Sequence, residues 1–237
     1  MNKIHIITPV KDSIELTRKT AEAVMASRLP VPFTYTIYND FSTPENTAEL
    51  ERMSRELGFR LVNLSELTDH PSPNYRLTLI TARREALAEG AGLLIVESDV
   101  VVPEHALGAL VAGAAGRGDC ALAAAVTVDE QGRINYPYEF AEGKRGVVRE
   151  KKHLSFCCTL MTPPLLEAFD FELLDPEKQW HDVTISHMAL RKGFANYLFT
   201  DVRVLHRPHG SRPWKLLKYQ NKLKYYWLKI TKGRDKI

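Results

Sequence analysis

The stretch GLLIVESDVVVPE, residues 92–104, begins as an unbroken apolar run and then contains two carboxylates separated by one residue. A strand that is buried on both faces reads as a continuous apolar run, so packing gives no reason for Glu97, Ser98 and Asp99 to interrupt it. Carboxylate oxygens hold Mg²⁺ or Mn²⁺ while leaving positions for substrate phosphates. The stretch therefore predicts a functional site at the end of a buried strand or, as the alternative, a polar turn.

Strands and helices alternate regularly before this stretch. Apolar, β-branched runs predict strands at 3–8, 33–40 and 59–64, and helical spacing predicts helices at 12–27, 43–58 and 74–90. Asp12 is the predicted N-cap of the first helix, and Gly58 and Gly90 end the other two. This order predicts an α/β fold with a mostly parallel central sheet flanked by helices.

The chain beyond Pro103 has a less regular pattern. We expect a helix at 103–118, a strand at 120–129, a strand at 153–163, a helix at 180–193 and a last strand at 195–206. The polar stretch 130–152 between them predicts a hairpin or a loop. The second half therefore has an α+β texture.

Composition limits the classes of protein that fit. The 237 residues are 44% hydrophobic and 26% charged, which is typical of a soluble protein with a substantial core. No apolar stretch approaches the roughly 20 residues that span a bilayer, and the first ten residues do not resemble a secretory signal. Three cysteines provide no disulfide framework. We expect a cytoplasmic protein.

Charge is unevenly distributed along the chain. Residues 207–237 contain ten Lys or Arg and one acidic residue, a net charge of +9, whereas the whole chain carries only +3. In this tail, apolar and aromatic residues recur at helical steps, and lysines mark another face. A basic amphipathic helix at 213–237 is the prediction. It would pack on the domain or contact an anionic membrane surface, and we do not expect a nucleic-acid partner.

Polar residues gather where four predicted strands end. In open α/β sheets ligands bind beyond the carboxyl ends of the strands. Those ends are Thr8-Pro9-Val10, Asn39-Asp40, Glu97-Ser98-Asp99 and His206. Glycine-rich nucleotide-binding loops are absent from the sequence, so a bound nucleotide would be held by side chains and a metal.

Five short motifs occur in the order found in one enzyme family. They are TPVKD (8–12), NDFSTPENT (39–47), VESDV (96–100), WHDVT (180–184) and HRPHGS (206–211). Together they resemble a GT-A fold glycosyltransferase of the family 2 type. Three positions depart from that pattern: Glu97 replaces an aspartate, Phe41 replaces a glycine, and His181 replaces an acidic residue.

The resemblance implies roles for individual residues. Asp99 and His206 would bind Mn²⁺ or Mg²⁺, and Asp182 would be the general base for the acceptor hydroxyl. The implied nucleotide-binding residues are Thr8, Pro9, Val10, Asp40, Arg83, Glu97 and Ser98. Residues 1–212 would form one catalytic domain, with 1–99 as the nucleotide-binding half and 100–212 as the acceptor half.

The implied activity is a metal-dependent, inverting transfer of a sugar from a nucleotide-diphosphate donor, for example a UDP-sugar. The acceptor would be a carbohydrate or a lipid-linked hydroxyl in polysaccharide or glycolipid assembly. Two alternatives stay open at this point. One is a sugar nucleotidyltransferase, which normally starts with a glycine-rich loop that IITPVKD lacks. The other is a non-catalytic relative that binds a nucleotide or a polyanion.

Overall fold

The structure is a computed structural model that describes residues 1–178, 180–207 and 221–231. The chain divides into two units, Met1–His206 and Arg207–Ile237, and each is described by itself. The predicted domain boundary at residue 212 lies outside the described residues.

The first half of the larger unit is a regular parallel sheet. Its strands are β1 (Ile4–Val10), β2 (Phe33–Asn39), β3 (Arg60–Asn63) and β4 (Gly92–Val96), in the spatial order β3-β2-β1-β4. Helices α1 (Ile14–Met25), α2 (Pro44–Leu57) and α3 (Tyr75–Ala88) connect them, and one 3₁₀ turn covers Leu64–Glu66. The predicted α/β arrangement is confirmed here.

Local chemistry explains where α2 begins and ends. The Thr43 side chain accepts a hydrogen bond from the Asn46 amide at 3.3 Å, and Pro44 occupies the first helical position, where no N–H is needed. Gly58 ends the helix with a φ of +82°, a left-handed conformation that glycine adopts without steric cost. The predicted helix at 43–58 is therefore found almost unchanged.

The second half of the sheet contains reversed strands. Its strands are β5 (Val100–Val101), β6 (Cys120–Val128), β7 (Val147–Glu150), β8 (Cys158–Met161) and β9 (Ala195–His206). Strand β8 lies between β4 and β6 and is antiparallel to both, whereas β6 and β9 are parallel. Strands β5 and β7 both pair antiparallel with β9.

Three helices and two 3₁₀ turns complete this half. They are α4 (Ala106–Ala115), α5 (Pro163–Ala168), α6 (His181–Arg191), Glu139–Ala141 and Phe171–Leu173. The polar stretch 130–152 contributes the short strand β7 and otherwise forms turns and loop. The strand expected at 153–163 is only four residues long, and α5 follows it directly.

Apolar layers lie on both faces of the sheet, because side chains alternate along each strand. Ile4 and Ile6 of β1 pack with α1, α2 and α4, whereas Ile7 packs on the opposite face with α3, α5 and α6. Helix α4 approaches β9 closely: a Cβ at Gly113 would lie 2.2 Å from the Phe199 ring. Apolar side chains therefore cover both faces of the sheet, and the candidate site lies at the end of the sheet.

The second unit contains helix α7 (Lys222–Thr231). Leu223 and Trp227 are 86% and 62% exposed, and Tyr226 is half exposed, whereas Tyr225 is buried. Of the predicted helix at 213–237 the structure describes only residues 221–231, of which Lys222–Thr231 are helical, and the basic amphipathic helix over the whole tail stays a prediction. Among the helices described, none combines the length and the apolarity that crossing a membrane would require.

Candidate active site at the end of the sheet

Two residues on different strands meet because of the short strand β5. Glu97, Ser98 and Asp99 form the turn between β4 and β5, and Val100 of β5 lies opposite His206 of β9. This antiparallel pairing brings Asp99 Oδ2 within 3.5 Å of His206 Nε2. Both side chains are nearly buried, with Asp99 7% and His206 4% exposed. The two predicted metal ligands are therefore together.

The His206 ring is held in a defined orientation. Its Nδ1 lies 2.7 Å from the Tyr136 carbonyl oxygen, which can only accept, so Nδ1 carries a proton and Nε2 faces Asp99. Burial lowers the His206 pKa, but Asp99, the Tyr136 carbonyl and Glu97 outweigh it, so the pKa is raised above its ordinary value. The position of Nε2 suits a proton or a cation shared with Asp99.

Cys157 also lies at this site and is not among the site residues that the sequence predicts. It comes immediately before β8, whose first residue Cys158 lies opposite Val96, the last residue of β4. The Glu97 amide donates to the Cys157 carbonyl at 2.9 Å, and the Cys157 thiol lies 3.6 Å from Glu97 Oε2. Donor atoms of Glu97, Cys157 and His206 all lie within 4.8 Å of one another.

The polar residues at the ends of β1 and β2 are hydrogen-bonded to other groups of the protein. The Thr8 hydroxyl is fully buried and lies 2.9 Å from the Tyr35 hydroxyl. The Asp40 carboxylate accepts hydrogen bonds from the Ser72 hydroxyl at 2.8 Å and from the Asn74 amide and side chain at 2.8 and 2.9 Å. These contacts fix the start of α3. The predicted nucleoside contacts of Thr8 and Asp40 stay predictions.

The two neighbours of Thr8 follow the same pattern. Val10 is buried in the core beside α1, and its carbonyl accepts a hydrogen bond from the Asp40 amide at 2.8 Å. Pro9 is half-buried. The end of β1 is thereby joined directly to the end of β2, and the nucleoside roles predicted for Pro9 and Val10 stay predictions as well.

The prediction that Asp12 is the N-cap of α1 is wrong. Ser13 occupies that position, and the Asp12 carboxylate instead accepts hydrogen bonds from the Thr43 amide at 2.7 Å and the Asn46 side chain at 3.0 Å. Asp12 has a φ of +59°, which turns its side chain away from α1 and towards the start of α2. The first two motifs are thus physically linked.

Phe41, which replaces a glycine of the family pattern, has a φ of +57°. This left-handed conformation costs an ordinary residue roughly 1–2 kcal/mol, which explains why glycine suits the position. The Phe41 ring compensates by packing against the apolar layer on the α3 face of the sheet. The departure therefore keeps the turn conformation.

Arg83 lies on α3 and contacts α5 and the segment after it. Its guanidinium donates to the Leu166 carbonyl and to Asp170, each at 2.8 Å, and stacks over the Phe171 ring. These contacts give Arg83 a structural role in joining α3 to the second half of the chain. The phosphate contact expected of Arg83 stays a prediction.

Asp182 lies in the first turn of α6, where a negative charge is favoured by the helix dipole. It is half-buried, and its Oδ1 accepts from the Val183 amide at 2.9 Å. Burial raises the pKa of Tyr138 well above its ordinary value, and the negative charge of Asp182 is among the smaller causes that raise it further.

His181, which replaces an acidic residue of the family motif, is buried. Its ring stacks on Tyr75 with 6.3 Å between centroids and an angle of 13° between planes. Burial, assisted by the charge of Arg76, lowers its pKa to about 4. His181 is therefore neutral at pH 7, and Asp182 is the acidic residue of this motif.

Comparison with known proteins supports the fold but gives little sequence similarity. The sequence matches no protein-family model, and no curated protein matches it. The structure is similar to the mannosyltransferase PcManGT from Pyrobaculum calidifontis in complex with GDP-Man and Mn²⁺, with a TM-score of 0.63, 14% identity and coverage of 96% of this chain. It is also similar to S. aureus TarS 1–349 in complex with UDP-GlcNAc, with a TM-score of 0.62, 17% identity and 87% coverage.

The chain spans 64% of the PcManGT chain and 59% of the TarS chain. At these identities the likeness concerns the fold. The mixed sheet, its flanking helices and these structural neighbours together show that the chain adopts the GT-A fold.

Proposed function

We propose that this chain is a metal-dependent, inverting glycosyltransferase that uses a nucleotide-diphosphate sugar. The observation that carries the proposal is the buried Asp99–His206 pair, 3.5 Å apart at the end of the sheet. Both solved neighbours described above contain a nucleotide sugar, and one of them also contains Mn²⁺. The donor would be a UDP- or GDP-sugar, and the acceptor a hydroxyl group in polysaccharide or glycolipid assembly.

The residues present fit a divalent cation. Asp99 offers a carboxylate oxygen and His206 offers Nε2, while Nδ1 is engaged by the Tyr136 carbonyl, as is usual for a metal-binding histidine. Mn²⁺ or Mg²⁺ held there would offset the negative charge that develops on the departing diphosphate. In this proposal Glu97 and Ser98, on the same turn, contact the ribose or the phosphates.

Asp182 is the proposed general base. An acceptor hydroxyl is a poor nucleophile, and a carboxylate within hydrogen-bond reach accepts its proton as the new bond forms. Because His181 is neutral and packed against Tyr75, the motif provides one carboxylate. A single base without a second, nucleophilic carboxylate corresponds to direct displacement with inversion at the anomeric carbon.

The nucleoside would lie beside the ends of β1 and β2. Asp40 uses three of the roughly four lone-pair positions of a carboxylate within the protein, so it holds the walls of that region and has limited capacity for a ligand. In this proposal Thr8, Pro9 and Val10 shape the same region through packing.

The proposal is tested by thermal unfolding of the full chain with UDP, GDP, UMP and GMP, each with and without Mn²⁺. Diphosphates should stabilise the protein more when Mn²⁺ is present, and with Mn²⁺ the total stabilisation should reach about 2.7 kcal/mol at a concentration 100 times Kd. Asp99→Asn should remove the Mn²⁺-dependent part, whereas Asp201→Asn, at an exposed position of β9, should not.

Two results would contradict the proposal. Equal stabilisation by mono- and diphosphates, with no effect of Mn²⁺, would favour a non-catalytic nucleotide-binding protein. Release of diphosphate from a nucleoside triphosphate and a sugar 1-phosphate would favour a nucleotidyltransferase.

We also propose that the protein is cytoplasmic and contacts the inner face of a membrane through its basic tail. Residues 207–237 carry a net charge of +9, and Leu223, Tyr226 and Trp227 of α7 are exposed. Lysines near an anionic surface contribute about 1 kcal/mol each, and exposed aromatic side chains suit the interface. Such contact would suit a lipid-linked acceptor.

Cosedimentation with vesicles tests the membrane contact. The full chain should bind vesicles that contain phosphatidylserine and should bind neutral phosphatidylcholine vesicles much less. Deletion of 213–237 should abolish the difference. Equal binding by the full and shortened chains would exclude the tail as the contact.

A further inference from the structure

The proposed cation site has a sulfur atom beside it that neither Mn²⁺ nor Mg²⁺ requires. Cys157 lies immediately before β8, Glu97 follows β4, and His206 ends β9, so three separate elements bring their donor atoms within 4.8 Å of one another. Cys157 and His206 are 2% and 4% exposed. A buried histidine, thiol and carboxylate at this spacing form a donor set typical of borderline or soft metals.

Two of the distances between donor atoms match those expected around a bound zinc ion. Zinc bonds of about 2.0–2.3 Å to nitrogen, oxygen and sulfur place tetrahedral donors roughly 3.3–3.7 Å apart. Cys157 Sγ lies 3.6 Å from Glu97 Oε2, and His206 Nε2 lies 3.5 Å from Asp99 Oδ2. Both distances fall within that range, whereas the donors of Glu97, Cys157 and His206 as a set lie within 4.8 Å of one another, so side chains would move inward when a cation binds.

Neighbouring groups hold the donors in place. The Tyr136 carbonyl orients the His206 ring, and the Cys157 carbonyl accepts the Glu97 amide, which fixes the two backbones beside each other. The Ser155 hydroxyl lies 3.3 Å from the Cys157 sulfur and can donate to a thiolate. Such outer contacts typically change metal affinity by 10–100-fold.

We propose that Glu97, Cys157 and His206, together with Asp99, bind Zn²⁺ or a similar thiophilic cation through a Cys157–metal bond. This inference goes beyond the proposed transferase activity, which needs only the oxygen and nitrogen donors. The thiol proton, which now points to Glu97, leaves when the metal binds. Zn²⁺ and Mn²⁺ would therefore compete for one position, and Cys157 would set the preference between them.

The adjacent cysteine provides a matched control. Cys158 pairs with Val96 inside the sheet and is not one of the grouped donor residues. Cys157→Ser and Cys158→Ser therefore remove one buried sulfur each from neighbouring positions, and only the first removes a proposed ligand.

The test uses the metal-free full chain titrated with Co²⁺, Zn²⁺ and Mn²⁺ without nucleotide. The Co²⁺ form of the wild type and of Cys158→Ser should show a thiolate-to-cobalt charge-transfer absorption, and Cys157→Ser should lack it. By calorimetry, Cys157→Ser should weaken Zn²⁺ binding by at least about tenfold while Mn²⁺ affinity changes much less.

X-ray absorption of the Zn²⁺-loaded wild type gives a reading that needs no variant. A zinc–sulfur distance of about 2.3 Å is expected. A shell of nitrogen and oxygen alone, or an equal loss of Zn²⁺ affinity in both cysteine variants, would overturn the inference. These outcomes are independent of the nucleotide measurements, so the transferase proposal can fail while the metal site stands, and the reverse.

Discussion

The two halves of the sheet use similar polar residues in different ways. At the ends of β1 and β2, Thr8 and Asp40 are hydrogen-bonded to other groups of the protein and fix its loops. In the mixed half, at the start of β5 and the end of β9, the carboxylate of Asp99 and the imidazole of His206 face each other. Motif residues of similar chemistry therefore separate into a supporting set in the parallel half and a set suited to a cation in the mixed half.

The largest expected effect concerns the mixed half. Asp182→Asn should lower turnover on the order of 10²–10⁴-fold, because the acceptor hydroxyl would lose its proposed general base. Nucleotide affinity should change little, since Asp182 is on α6 rather than on the strand ends that are proposed to hold the donor. Steady-state kinetics and nucleotide titrations measure the two quantities.

Asp201→Asn, an exposed position on β9, is the control and should keep the wild-type turnover. A fully active Asp182→Asn variant would exclude Asp182 from the mechanism. The mixed half would then have no proposed general base.

The next effect concerns the supporting half. Asp40→Ala should lower the free energy of unfolding by about 2–4 kcal/mol, because the buried Asn74 amide loses its acceptor and the Asn74 side chain keeps only its bond to the His70 carbonyl, and an unpaired buried group costs about 1–3 kcal/mol. Urea unfolding at pH 7 measures this loss. Asp12→Ala, at an exposed carboxylate with two comparable hydrogen bonds, should lose less.

At temperatures where the Asp40→Ala variant is folded, Mn²⁺ together with a nucleoside diphosphate should still stabilise it. If that stabilisation disappears while the stability of the ligand-free chain is unchanged, Asp40 binds the nucleotide directly. The parallel half would then contain a ligand-binding residue, and its assignment as a purely supporting half would be wrong.

The smallest effect is a pH dependence in the mixed half. The folded pKa of His181 is about 4, below the ordinary 6.5, so the unfolded chain binds the proton first. Stability should therefore fall as the pH drops from about 6.5 towards 4, by about 2 kcal/mol between pH 7 and pH 5. His181→Phe keeps an aromatic ring beside Tyr75 and should remove this dependence.

Urea unfolding at pH 7 and pH 5 measures the difference, and the exposed His153→Phe serves as the control. An identical loss of stability in wild type and His181→Phe would show that the acid sensitivity originates elsewhere.

The parallel half could be predicted closely from the sequence. Its strands are short apolar runs separated by helices with clear start and end residues, so β-α order alone fixes their direction. Asp12 was assigned wrongly because its left-handed backbone, which directs the carboxylate to α2, has no signature in the local sequence.

The mixed half could be predicted only in part, because an apolar run does not encode the direction of a strand. The carboxyl ends of the predicted strands include Asp99 and His206. They do not include Cys157, which lies at the amino end of the reversed strand β8. The signal was present as a cysteine pair before an apolar run. Placing it at the site requires the long-range pairing of β8 with β4.

Strand β5 consists of two residues, and its pairing with β9 sets the position of Asp99 relative to His206. A shift of one residue would turn the aspartate to the opposite face of the sheet. A cation shared by the two side chains would resist that shift, and correct pairing would in turn raise the affinity for the cation. Ion binding and the register of this small ladder are therefore thermodynamically linked, and each would strengthen the other.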